Sequence, residues 1–255
     1  MSLHLKDLSV QYGRHPVLTG LSPAPIPAGS VVGLLGANGA GKSTLLRALA
    51  GLQAASGDAR LDGEPLLGRG QPDRVGYLPQ SLPQGSPLLA YEAVLSTLRA
   101  TRPDLSAASA EQRIEAVFDR LGLRDLALRK MAQLSGGQRQ MIGLSQVLVR
   151  QPRLLLLDEP TSALDLRWQL AVLQTVRSLT AGRSCLALIA IHDINLAARF
   201  CDRLLILGNG GLLADATPTD ALTPEVLARA YAVEARVEPC SAGFPVVLAD
   251  RALPV

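Results

Sequence analysis

The chain has 255 residues, of which 48% are hydrophobic, so it can form one large or two small domains with a substantial core. Its net charge of +3 is too small to support a nucleic-acid partner. The three cysteines form no C-x-x-C pair, which favours reduced, buried thiols over a disulfide framework or a metal site. The start of the chain lacks the pattern of a signal peptide, and the longest apolar stretch, 185–191, is far shorter than the ~20 residues that a membrane span needs.

The first part of the chain is predicted to be rich in strands. Residues 3–12 alternate between apolar and polar, 17–21 follow a turn, and 31–35 form a continuous apolar run. Such a run is typical of a central strand that is buried on both faces. The proline-rich stretch 23–27 is predicted to be a loop or a sheet edge, because proline cannot donate to a strand ladder.

Residues 36–43, G-A-N-G-A-G-K-S, match the phosphate-loop pattern, with a strand before them and a predicted helix at 42–50 after them. The glycines let the backbone wrap around phosphates, Lys42 supplies a positive charge, and the Ser43 hydroxyl is a ligand for Mg²⁺. A dinucleotide-binding Rossmann loop does not match, because the glycines are not spaced G-x-G-x-x-G. We predict that a nucleotide contacts the following residues of this segment: Gly36, Asn38, Gly39, Ala40, Gly41, Lys42, Ser43 and Thr44.

The middle of the chain interrupts the alternation of strands and helices. A strand is predicted at 74–78, and residues 88–133 have a helical pattern, which indicates a helical subdomain inserted into an α/β core. Within it, Ser109-x-x-Gln112 matches a capping box, and Gly122 predicts the end of the helix.

A second glycine-rich loop, Leu134-Ser-Gly-Gly-Gln138, is predicted to open a helix. The N-terminus of a helix can bind an anion. From these residues alone, a simple helix cap followed by a turn remains an alternative.

The apolar strand predicted at 153–158 ends in two acids, Asp158 and Glu159. Ligands bind at the carboxyl ends of the strands in open parallel sheets. Asp158 is predicted to hold Mg²⁺, mostly through water, and Glu159 to polarise the attacking water. Two solvated acids without a function are the alternative, which the phosphate loop upstream disfavours.

The remainder of the chain continues the alternation and then adds a C-terminal part. Its predicted elements are a helix at 166–179, strands at 185–191 and 203–207, a helix at 195–200, a short helix capped by Thr223-Pro224-Glu225, and strands at 233–237 and 245–248.

These motifs, in this order and at this spacing, resemble the nucleotide-binding subunit of an ABC transporter over residues 3 to about 230. The resemblance implies an α/β fold: a P-loop NTPase core of the ABC ATPase kind, with an N-terminal antiparallel β-subdomain and an inserted α-helical subdomain. The chain would be a single ABC ATPase domain, 1–255. Its predicted parts are the core with the β-subdomain at 1–80 and 150–215, the helical subdomain with the signature motif at 81–149, and a C-terminal extension at 216–255.

The resemblance also implies roles for single residues. Tyr12 would stack on adenine, Gln80 would sense Mg²⁺ and the partner, and His192 would contact the γ-phosphate. Ser135, Gly136, Gly137 and Gln138 would form the signature motif that reaches the nucleotide of the other subunit, and Asp165 would be the acid of the inter-subunit loop. The implied catalytic set is Lys42, Gln80, Glu159 and His192, and the implied Mg²⁺ ligands are Ser43, Gln80 and Asp158.

Residues 192–203 and the tail 222–231 are most similar to importer ATPases for iron-siderophores, haem and vitamin B12. This similarity implies a homodimer at the cytoplasmic face of the membrane, bound to permease subunits and indirectly served by a periplasmic or extracellular substrate-binding protein. Residues 81–105 would face the permease, and a ferric siderophore is the first expected cargo, with haem or a corrinoid next.

An exporter ATPase would carry the same motifs. A soluble ABC ATPase acting on DNA or ribosomes would typically add a coiled-coil insertion or a second ATPase unit.

Overall fold

A computed structural model describes residues 2–68, 71, 73–82, 86–162, 164–182 and 184–254. The strands in chain order are β1 (Ser2–Tyr12), β2 (His15–Leu21), β3 (Ile26–Pro27), β4 (Val31–Leu35), β5 (Ser56–Leu61), β6 (Glu64–Pro65), β7 (Val75–Leu78), β8 (Leu154–Asp158), β9 (Leu186–Ala190), β10 (Arg203–Gly208), β11 (Gly211–Ala216), β12 (Val233–Pro239) and β13 (Pro245–Ala252). The helices are α1 (Lys42–Leu49), α2 (Ala90–Thr101), α3 (Ala107–Leu121), α4 (Gly136–Leu148), α5 (Leu166–Thr180), α6 (Ile194–Phe200), α7 (Pro218–Ala221) and α8 (Pro224–Tyr231). Each of the helices described is too short or too polar to cross a lipid bilayer.

The main sheet, in the part of the chain that is described, has six strands in the order β11-β10-β4-β9-β8-β7. Neighbouring strands from β10 to β7 are parallel, and β11 runs antiparallel to β10. Because the carboxyl ends of parallel strands share one edge, the segments that follow β4, β7, β8 and β9 meet there. These four segments contain the phosphate loop, Gln80, Glu159 and His192.

The two faces of this sheet are covered by different layers. Leu154 and Leu156 of β8 pack with the N-terminal strands and α1, whereas Leu155 and Leu157 pack with the remaining helices. Burial on both faces explains the unbroken apolar runs of β4 and β8, and it confirms that 31–35 is a central strand.

The N-terminal strands form an antiparallel sheet in the order β2-β1-β5-β6, with β3 also paired to β1. Pro27 lies in the short strand β3 at this edge, as predicted for the proline-rich stretch. Strand β5 was not predicted, because Ser56-Gly57-Asp58 has poor strand propensity and the strand depends on pairing with β1. Strand β11 was also missed, since its alanines and aspartate are weak strand formers.

Helices α2, α3 and α4 lie in sequence between β7 and β8 of the main sheet. The predicted capping box at Ser109 of α3 is wrong. The N-cap of α3 is Ser106, whose side chain accepts a hydrogen bond from the Ser109 N–H at 3.2 Å. The helix starts earlier because Ala107 and Ala108 are strong helix formers. The prediction for the other end is confirmed, since Gly122 is the C-cap with φ of 64°.

Thr223 caps α8 as predicted, and β12 and β13 form the terminal pair of strands. Cys185 and Cys201 are free and buried, and burial raises the pKa of each thiol to about 12. Both thiols therefore stay protonated near neutral pH. The division of the chain into the subdomain boundaries given above stays a prediction.

Candidate functional site

The phosphate loop runs from the end of β4 to the start of α1, and its shape depends on glycine. Gly36 has φ of 138°, and a Cβ there would lie 2.4 Å from the Leu207 carbonyl oxygen. Gly41 has φ of 99°, and a Cβ there would lie 2.6 Å from the Leu18 side chain. Any larger residue would therefore displace the loop from β10 or from β2.

Lys42 is buried at the first position of α1. Its Nζ donates hydrogen bonds to the carbonyl oxygens of Gly36, at 2.7 Å, and Ala37, at 3.1 Å. Burial lowers the pKa of Lys42, while the negative charges of Glu159 and Asp158 raise it. The two hydrogen bonds hold the ammonium group against the loop, where it is a point charge next to the N-terminus of α1.

Asp158, at the end of β8, lies against Ser43. The Ser43 hydroxyl donates to Asp158 Oδ1 at 2.8 Å, and the Tyr77 hydroxyl donates to Oδ2 at 3.3 Å. Burial raises the pKa of Asp158, and these two hydrogen bonds lower it. Sequence reasoning missed Tyr77, although its place in β7, beside the strand that carries Asp158, was a usable signal.

Glu159 brings two other predicted residues together. Its Oε1 lies 2.6 Å from His192 Nε2, and its Oε2 accepts a hydrogen bond from Gln80 Nε2 at 2.5 Å. The backbone of Glu159 has φ of 51°, in the left-handed region that residues with a side chain seldom adopt. Strain of this kind is concentrated at functional sites, where the surrounding structure enforces it.

A cavity of about 360 Å³ opens where these groups meet. Its described lining is Asn38, Gly39, Gly41, Lys42, Ser43, Thr44, Gln80, Glu159 and His192. The structure thus brings the phosphate loop and all four predicted catalytic residues to one cavity. A cationic and hydroxylic wall facing a carboxylate suits a phosphate ester and an attacking water.

Several predicted residues lie away from this cavity. Tyr12 is at the end of β1 and 43% exposed, and Asp165 is the N-cap of α5, where its side chain accepts from the Trp168 N–H. Ser135 is the N-cap of α4 and forms a capping box with Gln138. Among the described lining residues, none comes from 134–138. The second glycine loop therefore lies outside the described lining of the cavity that the phosphate loop of its own chain forms.

A second missed contact involves the C-terminal part. The Gly36 N–H donates to the Tyr231 hydroxyl oxygen at 2.9 Å. No sequence signal could have found it, because the two residues are far apart in the chain and belong to separate motifs.

Comparison with known proteins identifies the family. A family model described as "ABC transporter" matches residues 21–162, more than half of the chain. The chain belongs to the ABC transporter family. The Hemin import ATP-binding protein HmuV of Bordetella avium (strain 197N) is 41% identical over 94% of this chain and 95% of its own length. The protein of the same name from Pseudomonas aeruginosa is also 41% identical, over 92% of this chain and 94% of its own length.

The ABC fold is also found among solved structures. A chain described as "Structure of ATP binding subunit of ABC transporter" superposes with a TM-score of 0.75 at 27% identity, covering 86% of this chain and 91% of its own. The predicted fold class and family are thus confirmed. This member of the ABC family is an ATPase of a transporter, and the two HmuV relatives are named as import ATP-binding proteins.

Proposed function

We propose that this ABC ATPase powers the uptake of haemin. The observation that carries this cargo is the 41% identity, over nearly the whole chain, to hemin import ATP-binding proteins. The sequence placed a ferric siderophore first and haem next, and the names of these relatives favour haem. The ATPase would act at the cytoplasmic face of the membrane, below a permease that a substrate-binding protein supplies.

In this proposal, Lys42 and the amides of the phosphate loop hold the phosphates of ATP, and Tyr12 stacks on adenine. The short distance from Glu159 to both His192 and Gln80 supports a role for Glu159 in orienting and deprotonating the attacking water. His192, whose side chain is 46% exposed, is placed to contact the γ-phosphate from the rim of the cavity.

The oxygen atoms near Ser43 fit a Mg²⁺ ion. The Ser43 hydroxyl, the Asp158 carboxylate and the Gln80 amide offer hard oxygen donors, which Mg²⁺ prefers. No cluster of three or more His, Cys, Asp or Glu occurs in the described ranges, so the ion would rely on one carboxylate together with the phosphates. When bound, it would neutralise charge that develops on the transferred phosphoryl group.

A homodimer would complete each site. Ser135 is exposed at the N-terminus of α4 and lies outside the cavity of its own chain. The backbone amides at the start of α4 are therefore available to the nucleotide of a partner. Asp165, exposed at the start of α5, would face the same interface.

The permease would dock near two paired segments, 88–91 and 127–131. They join through backbone hydrogen bonds such as that from Met131 N–H to the Leu88 carbonyl, and they lie in sequence between Gln80 and the signature loop. Leu88 is 40% exposed and Leu128 is 80% exposed, which leaves apolar surface for a partner.

We expect Leu128→Glu to reduce haem transport severalfold while the ATPase activity of the isolated protein changes little, because a charge would enter an apolar interface. Transport in membrane vesicles and phosphate release in solution measure the two effects. Leu52→Glu is a matched control, since Leu52 is 57% exposed but lies just after α1. Equal transport by the two variants would contradict this docking site. Glu92 is a poorer position for such a test, because its carboxylate caps α2.

The cargo itself is tested by growth. A strain without this ATPase should fail to grow on haemin as its iron source and recover when the gene is restored. It should still use ferric siderophores and vitamin B12. Normal growth on haemin with failed use of a siderophore or of vitamin B12 would contradict the proposed cargo and leave the ATPase assignment intact.

A further inference from the structure

The C-terminal extension contacts the start of the phosphate loop. The hydroxyl oxygen of Tyr231, the last residue of α8, accepts a hydrogen bond from the Gly36 N–H at 2.9 Å. On its other side Gly36 is confined by the Leu207 carbonyl, which leaves no space for a Cβ. The carbonyl oxygen of Gly36 accepts from Lys42 Nζ. Tyr231 therefore fixes the residue on which the Lys42 ammonium rests.

The extension also contacts the helix that follows His192. The Val247 N–H of β13 donates to Asn195 Oδ1 at 2.8 Å, and Asn195 Nδ2 donates to the Val247 carbonyl at 3.3 Å. Asn195 lies in the first turn of α6, whose N-cap is Asp193. A paired amide contact at this turn restrains the segment that holds His192 beside Glu159.

We propose that the C-terminal extension positions both sides of the nucleotide site, through Tyr231 at the phosphate loop and through the Asn195–Val247 pair at His192. Neither Tyr231 nor Asn195 is among the described residues that line the cavity, so both are positioning residues. The inference rests on the proposed use of this cavity for ATP. It assigns separate effects to the two contacts: Tyr231 governs nucleotide affinity, and Asn195 governs turnover.

Tyr231→Phe removes one oxygen atom and leaves the Gly36 N–H without its acceptor. We expect the Kd for a fluorescent, non-hydrolysable ATP analogue with Mg²⁺ to rise about five- to tenfold. At saturating ATP, kcat should change much less. The control is Thr180→Val, which likewise removes a single hydroxyl; the Thr180 hydroxyl is buried and donates to backbone carbonyls at the far end of α5. Wild-type affinity in Tyr231→Phe, or an equal loss in Thr180→Val, would overturn the role of Tyr231.

Asn195→Ala removes both hydrogen bonds to Val247. We expect kcat to fall several-fold while the Kd for the analogue stays at the wild-type value. Arg236→Ala is the control, because Arg236 pairs with Glu238 and Asp250 inside the terminal hairpin. A loss of affinity without a loss of turnover in Asn195→Ala, or equal turnover in the two variants, would overturn the assignment. Failure of the proposed ATP site is distinguishable, because the wild type and both controls would then fail to bind the analogue.

Discussion

Glu159→Gln should bind ATP normally and hydrolyse it roughly 10²–10⁴-fold more slowly than the wild type, the range that general base catalysis contributes. The amide keeps the size of the side chain, so the cavity and its contacts with Gln80 survive. It cannot accept a proton from the attacking water. The rate of phosphate release at saturating ATP measures the loss of hydrolysis, and the Kd for the labelled analogue measures binding.

Glu111→Gln is the matched control for this substitution. Glu111 is exposed on α3, within the helical part of the chain, and its variant should turn over ATP at the wild-type rate. If Glu159→Gln also hydrolysed ATP near that rate, the assignment of the base would be wrong. If it lost nucleotide binding instead, Glu159 would have to act in holding the substrate.

Two inactive chains should restore activity when they are mixed, if the sites are shared between subunits. Lys42→Ala removes the charge at the phosphate loop, and Ser135→Arg blocks the N-terminus of α4. In a mixed dimer both changes fall on one composite site and the other site is intact. With random pairing roughly half of the dimers are mixed, so occluded nucleotide should reach about a quarter of the wild-type amount.

This experiment needs a control for the loss of a helix cap, which costs about 1 kcal/mol. Ser106→Arg removes the N-cap of α3 in the same way, and this variant alone should keep the activity of the wild type. Mixed dimers are verified by tagging the two chains differently. Occlusion that stays at the level of the separate inactive proteins, in verified mixed dimers, would mean that each chain carries complete sites.

The sequence was sufficient to predict where a site residue lies when its position follows from local spacing. The phosphate loop, the acids after β8 and His192 after β9 each follow a buried strand, and parallel pairing brings them to one edge. The hydrogen bonds of Glu159 with Gln80 and His192 then follow from that topology. The helix at the second glycine loop was predicted correctly, and Ser135 is its N-cap.

The missed features depend on contacts between distant parts of the chain. Strand β5 has no strand pattern of its own and forms because β1 offers a pairing edge. The Tyr231 hydroxyl lies near Gly36 only after α8 packs beside the main sheet. The start of α3 was misplaced because Ser106 and Ser109 both have side chains that can cap a helix, and only the intervening helix propensity decides between them.

The left-handed backbone of Glu159 has a consequence for the evolution of this ATPase. A residue with a side chain at φ of 51° reduces folding stability by roughly 1 kcal/mol relative to glycine, which adopts this conformation freely. Selection for folding stability alone would favour glycine at this position, whereas selection for the rate of ATP hydrolysis retains glutamate. Adaptation of the enzyme to higher temperature must therefore draw on substitutions elsewhere, because this position is not free to contribute.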